Sequence, residues 1–210
     1  MIRTLIKGGT VITMEPGDTG ATALDILVED GRIAAIGDVD RIDGAVGGAD
    51  IIDALKQAGV SHVAALPDIT TSDGLLWPLS SDDELHLIRL SKEDEGVSIC
   101  AALSFCEKRA VVLMQQTGLM DSLNNVRAVG CEYQQPICMV VGLLGKEPDR
   151  SPTESASLGV RIVEPVLDAM GIDHILIEGP EDVAKLPRAI DFAYLRSRPM
   201  VALIGRRVEP

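Results

Sequence analysis

Aromatic side chains are almost absent from this chain: one Trp, two Tyr and two Phe make up 2% of 210 residues. A core built from this composition must be aliphatic and rich in Ala and Gly, as in closely packed α/β layers. Basic residues are also scarce, 19 Lys and Arg against 32 Asp and Glu, for a formal net charge of −13. That balance argues against nucleic acid as a partner, because phosphate backbones are recognised by clustered Lys and Arg. No apolar run reaches the roughly 18 residues needed to span a bilayer, and the first residues carry no apolar signal region. The chain is therefore expected to be cytoplasmic, with no membrane partner. Cys100, Cys106, Cys131 and Cys138 contain no C-x-x-C pair, and Cys100 and Cys138 lie in apolar runs. Buried reduced thiols are expected rather than disulfides or zinc ligands. His62, His86 and His174 are scattered along the sequence and are expected to be tolerated strand residues, not metal ligands. Neither G-x-x-x-x-G-K-[ST] nor G-x-G-x-x-G occurs, which removes a phosphate loop and a dinucleotide fingerprint.

What is present is 46% hydrophobic and 24% charged, enough for one full-sized domain and a small appendage. Composition changes near residue 48. Before it, Leu5-Ile6, Thr10–Thr13, Asp25–Val28 and Arg32–Ile36 read as strands, with a Pro-Gly turn at 16–17 and Asp30-Gly31 as a hairpin turn. Asp43–Gly48 is Gly-rich and reads as a linker. Residues 1–48 are thus expected to be a β-rich appendage and linker, and 49–210 the main domain.

Beyond residue 48, strand and helix patterns alternate. Helices are expected at Asp50–Ala58, Gly74–Leu79, Gly96–Cys106, Asp121–Gly130, Ser157–Met170 and Glu181–Arg196. Strands are expected at Val60–Leu66, Glu84–Leu90, Ala110–Gln115, Ile137–Gly142, His174–Ile177 and Met200–Ile204. Nearly continuous apolar strands joined by helices imply a parallel sheet covered on both faces, a doubly wound α/β fold. Ligands in such folds sit beyond the carboxyl ends of the strands. Three of these ends stand out: Pro67-Asp68, Ser91–Glu95 and Gln115–Leu119.

Glu93, Asp94 and Glu95 open a helix, and residue physics alone assigns acidic groups there to capping and to the positive end of the helix dipole. The residues that follow, Gly96, Val97, Ser98, Cys100, Ala101 and Ala102, are slim and let a backbone or flat ligand come close. In Gln115-Gln116-Thr117-Gly118-Leu119, glycine is expected to supply a φ that other residues resist in a strand-to-helix turn.

Lys92–Ala102 together with Leu113–Asn124 resembles the pyrimidine-binding subunit of the sulfopyruvate and phosphonopyruvate decarboxylases, a family of thiamine-diphosphate (ThDP) enzymes. These carry an Arg/Asn-Glu-x-x-Gly/Ala-Val motif and then Met-Gln-Asn-Ser-Gly-Leu-Gly-Asn-Ser. The likeness extends over Asp50–Asp68 and in outline to about residue 205, roughly three quarters of the chain. It implies an alpha subunit of a 2-oxo acid decarboxylase, a lyase. Glu93, three residues before Gly96, takes the place of the glutamate that hydrogen-bonds the cofactor's aminopyrimidine and shares a proton with it, a task suited to a buried carboxyl. Asp94 and Glu95 are out of register. Gln115, Thr117, Gly118, Leu119 and Asp68 fall at cofactor-binding positions. The G-D-G…N motif that holds Mg²⁺ and the diphosphate is missing. The pairs Gly17-Asp18 and Gly37-Asp38 lack its context. A separate diphosphate-binding (beta) subunit, and hence a hetero-oligomer, is implied, with a small 2-oxo acid as substrate.

The chain also departs from the pattern. Where the relatives usually carry an aromatic or His followed by Arg-Gly, it has Gly142-Leu143-Leu144-Gly145, without that anion-binding group. Ile69 stands in place of Ser, and Met120-Asp121 in place of Gly-Asn. The same fold also suits a non-catalytic interaction or regulatory subunit. Residues 1–53 resemble a different family, the small β-sandwich of amidohydrolases, through Leu5–Val11, Asp25–Gly37 and Ile51–Ala54. The His-x-His metal ligands that follow there are missing.

Overall fold

The computed structural model describes residues 3–11, 22–37 and 46–209. The chain divides into two compact units, Met1–Gly44 and Ala45–Pro210. In the first, β1 (Arg3–Val11), β2 (Thr22–Glu29) and β3 (Arg32–Gly37) form an antiparallel sheet in that order. Glu29 pairs with Arg32 across a two-residue loop in which Asp30 (φ 48°) and Gly31 (φ 78°) are both left-handed. This is the hairpin that Asp-Gly encodes, because its twist matches that of the strands. The expected strand end at Ile12-Thr13, the turn at 16–17, the pair Gly17-Asp18 and the start of the linker lie outside the described residues.

The second unit is an all-parallel six-stranded sheet with helices on both faces. After a two-residue strand β4 (Val46–Gly47) come α1 (Gly48–Gln57), β5 (Val60–Ala65), α2 (Trp77–Ser80), β6 (His86–Arg89) and α3 (Glu93–Phe105). They are followed by β7 (Arg109–Gln115), α4 (Gln116–Asn125), β8 (Cys138–Gly142), α5 (Leu158–Arg161) and α6 (Val163–Met170). The series closes with β9 (Asp173–Ile177), α7 (Pro180–Val183), α8 (Leu186–Arg196), β10 (Met200–Ile204) and a two-residue β11 (Val208–Glu209). The sheet order is β6-β5-β7-β8-β10-β9, and β11 pairs with β4.

Side chains alternate between two buried cores. Val111, Leu113, Val140 and Ala202 pack with α1, α2 and α8, while Val112, Met114, Val141 and Leu203 pack with α3, α4 and α6. The crossovers β5→β6 and β9→β10 move one way along the sheet on the first face. Those for β6→β7, β7→β8 and β8→β9 move the other way on the second. All five therefore share one hand, as a doubly wound sheet requires. β5 and β7 are neighbours whose chains leave toward opposite faces, the switch point beyond whose carboxyl ends such folds place their ligand crevice.

Helix boundaries differ from the sequence reading for physical reasons. The segment 157–170 breaks at Ile162 and the segment 181–196 breaks after Val183. Pro165 and Pro187 lie four residues beyond Arg161 and Val183, where a proline ring blocks the preceding carbonyl. α3 begins at Glu93, three residues before Gly96, and α4 begins at Gln116, five before Asp121. α4 then runs on as a π-helical stretch, Val126–Glu132, and a second π-helical turn, Ser72–Leu76, precedes α2. Cys100 and Cys138 are buried free thiols, and burial alone pushes Cys100 up to about 12.

Candidate active site

Along the carboxyl edge of the sheet, in spatial order, Lys92 and Asp68 follow β6 and β5, and Gln115 and Gly142 end β7 and β8. The three carboxylates that open α3 have separate fates. Glu95 Oε2 accepts from the amides of Ser91 (3.0 Å) and Lys92 (3.3 Å), closing a capping box. Asp94 pairs with Lys92 Nζ at 3.4 Å, and Lys92 also reaches Asp121 on α4 at 3.0 Å. These partners, Asp121 foremost, raise the Lys92 pKa and hold its ammonium charged. Glu93 has no hydrogen bond or ion pair among the described residues and is half-buried. It is the one carboxylate of the three that neither caps nor pairs.

Glu93 lies against α4. A Cβ at Gly118 would come within 2.4 Å of Glu93 Cγ and 2.5 Å of Oε1. Gly118 is helical and does not adopt positive φ, so the turn conformation expected of it does not occur. Its lack of a side chain makes room for Glu93. The two helices are further tied by Asn125 Nδ2, which donates to Asp94 O (2.7 Å) and Ser98 Oγ (2.9 Å). Gly96 performs the same service one layer down, since a Cβ there would meet Leu90 Cδ1 and Val112 Cγ1 at 2.8 Å.

The remaining candidates divide. Thr117 is exposed and Gln115 half-buried, with Thr117 Oγ1 3.4 Å from Gln115 Oε1. Leu119 is fully buried in the core beside Val97 and Met114, so it anchors α4 rather than facing the crevice. Asp68 spends its carboxylate within its own loop, accepting from the amides of Thr70 (2.6 Å) and Thr71 (2.8 Å) and from Thr71 Oγ1 (2.5 Å). That loop closes over the end of β8, where a Cβ on Gly142 would lie 2.9 Å from Thr70 Cβ. Thr70 Oγ1 is buried there without a partner.

Gln116 was not among the expected site residues. It is buried, and its amide clamps Leu144: Oε1 accepts from Leu144 N (2.8 Å) and Nε2 donates to Leu144 O (3.0 Å). Two glutamines in succession after an apolar strand were the available signal, since successive side chains at a strand end point to opposite faces of the sheet. The first turn of α4 thus holds Glu93 through Gly118 and Leu144 through Gln116. His62 and His86 are not scattered in space: they are register partners on β5 and β6, with ring centroids 5.0 Å apart. Among the described residues no group of three or more His, Cys, Asp or Glu is placed to hold a metal ion, and no helix is long and apolar enough to cross a membrane.

No family model matches the chain. Curated relatives do. Over 158 residues, 75% of this chain, it is 27% identical to sulfopyruvate decarboxylase of Methanosarcina acetivorans, and it spans only 40% of that protein. The same length is 26% identical to sulfopyruvate decarboxylase subunit alpha of Methanocaldococcus jannaschii, of which it covers 92%. Subunit alpha from Methanococcus maripaludis is 24% identical over 134 residues, 63% of this chain and 78% of the relative. The chain is similar to sulfopyruvate decarboxylases, and to their alpha subunits over most of the subunit's length.

Proposed function

We propose that this chain is the pyrimidine-binding alpha subunit of a ThDP-dependent 2-oxo acid decarboxylase, a cytoplasmic enzyme completed by a separate diphosphate-binding subunit. The observation that carries the reading is the division of labour at the start of α3. Asp94 and Glu95 are consumed by pairing and capping, while Glu93 stays unpartnered against a glycine whose side chain would displace it. Any of the three carboxylates serves the dipole of α3, whereas a cofactor ring needs one that is left free.

The residues present fit the pyrimidine half of the cofactor. Glu93 would meet the ring's hydrogen-bonding edge, with Gly118, Thr117 and Gln115 beside it. When bound, ThDP supplies the carbanion stabilisation that a 2-oxo acid needs to lose carbon dioxide. Glu93 contributes a carboxylate oxygen able to hold and return a proton, and α4, fixed through Leu119 and Asn125, keeps that oxygen in place. Net, the bond between C1 and C2 of the substrate breaks, C1 leaves as carbon dioxide, and C2 takes up one proton to leave an aldehyde. Mg²⁺ and the diphosphate fall to the partner, because this sequence has no G-D-G…N. A relative that extends well past the aligned region and others named as alpha subunits support a second half, fused or separate.

One observation favours the alternative of a non-catalytic subunit: the Asp68 carboxylate is fully engaged inside its loop and is not free for a ligand. The same experiment separates the two. The chain is co-purified with the product of a neighbouring reading frame that carries G-D-G…N, titrated with ThDP and Mg²⁺, and assayed on a panel of 2-oxo acids. Glu93→Gln is expected to lower kcat by about 10²–10⁴-fold with the complex still assembled on gel filtration. A Glu93→Gln complex as active as the wild type rules out the assigned role.

A further inference from the structure

We propose that the substrate of this site is a 2-oxo acid with an uncharged, apolar side chain, and that Leu144 is the residue of this chain that sets the preference. The proposal rests on the ThDP reading above and departs from what the relatives' names would suggest.

On this chain's side of the site, charge weighs against a dianionic substrate. A sulfonate or phosphonate leaving bulk water needs a cation or several free donors to replace its hydration. The cations on the segments bordering the first turn of α4 are already engaged. Lys92 is divided between Asp94 and Asp121. Lys146, whose side chain is 0% exposed, is held by Glu178 and by the carbonyls of Glu147 and Arg150. Arg161 donates to the carbonyls of Ser155 and Ala156. Arg150 faces Glu147 at 3.9 Å. Arg89, on β6, shares a sheet face with Leu87, opposite the face that carries α3 and α4. The chain as a whole carries a net charge of −13, so a second anion brought to this edge meets repulsion rather than a partner.

What this edge does offer is aliphatic. Leu144, 38% exposed, is fixed through its backbone to Gln116, two residues from the glycine against which Glu93 lies. Leu158, 62% exposed, opens α5 on the same side, and a Cβ on the next residue, Gly159, would lie 3.9 Å from Gln116 Nε2. A substrate whose 2-oxo acid end reaches the crevice from this side places its side chain against Leu144 and Leu158. Contact between aliphatic groups is favourable there, while a charged group would displace water without compensation.

The test uses the complex with its diphosphate-binding partner and has two separate readouts. ThDP binding in the presence of Mg²⁺ is followed by calorimetry, independent of turnover. Steady-state kcat/KM is then compared for sulfopyruvate, 3-phosphonopyruvate, pyruvate and 4-methyl-2-oxopentanoate. The expected result is ThDP binding and a kcat/KM for 4-methyl-2-oxopentanoate above that for either dianion by about tenfold or more. Leu144→Arg is expected to cut that ratio by about tenfold, with ThDP affinity unchanged. A wild-type complex that prefers sulfopyruvate or phosphonopyruvate, or that binds ThDP and turns over none of the four, overturns the substrate assignment and leaves the cofactor reading standing. An assembled complex that fails to bind ThDP overturns both.

Discussion

Gly118 sits in the first turn of α4, where it costs roughly 0.5–1 kcal/mol of helix stability relative to alanine. The space it leaves is filled by Glu93. These two facts pull a Gly118→Ala variant in opposite directions. Its melting temperature should hold or rise, because the backbone is already helical. Its activity with the partner should fall about 10²-fold, because Glu93 Cγ must move from 2.4 Å to at least the 3.4 Å of ordinary contact. A variant that melts higher and turns over normally would show that the position of Glu93 does not matter. Residue identity in this site was partly legible in the sequence. Register with Gly96 picked Glu93 from three adjacent carboxylates, and the structure shows the other two occupied. Leu119 and Asp68 were singled out with it, yet one packs in the core and the other builds its loop. A motif records which residues occur together and not which way each points.

At the level of elements, six strands and the main helices follow from apolar runs, since a sheet covered on both faces leaves little else for a strand to be. What the runs do not contain is contact between backbones. β4 and β11 are two residues each, too short for any periodicity, and they meet because glycines permit it. A Cβ on Gly48 would fall 1.5 Å from Gly74 O, and one on Gly74 would fall 2.3 Å from Val208 O. These obstacles are main-chain atoms, which cannot rotate away. Gly74→Ala should therefore displace β11 and lower stability by about 1–3 kcal/mol, seen as an earlier urea midpoint with little change in slope. An unchanged midpoint would mean that β11 contributes nothing to the unit. The π-helical stretches at 72–76 and 126–132 were equally invisible as such, because a turn or so of π-helix is too short to show a period of its own.

For the molecule as a whole, stability near neutral pH carries the mark of His62, packed beside His86. Burial, then the neighbouring His86 and Lys108, lower the pKa of His62 in the folded state from 6.5. The unfolded chain still takes up its proton near 6.5, so below that pH the unfolded state binds more protons and stability falls. Above about pH 7 neither state is protonated and the contribution is flat. Thermal melts from about pH 8 to about pH 5 should therefore show a plateau and then a decline, and His62→Gln should shallow the decline. An identical decline in the variant would assign it to other groups.

The strand pair β4–β11 has a consequence for how the chain is threaded. Val46 and Val208 are register partners, and both lie past the carboxyl ends of the large strands. Residues 46–209 therefore form a loop that returns to its own starting point, a ring with a single cut. Sealing that cut with a few residues and opening the ring at an exposed bend such as Pro148-Asp149 would sever the β8→β9 crossover alone, leaving the other four with the same hand and every helix on the same face. What makes this architecture work is its cyclic order, and where that order is cut is incidental to it.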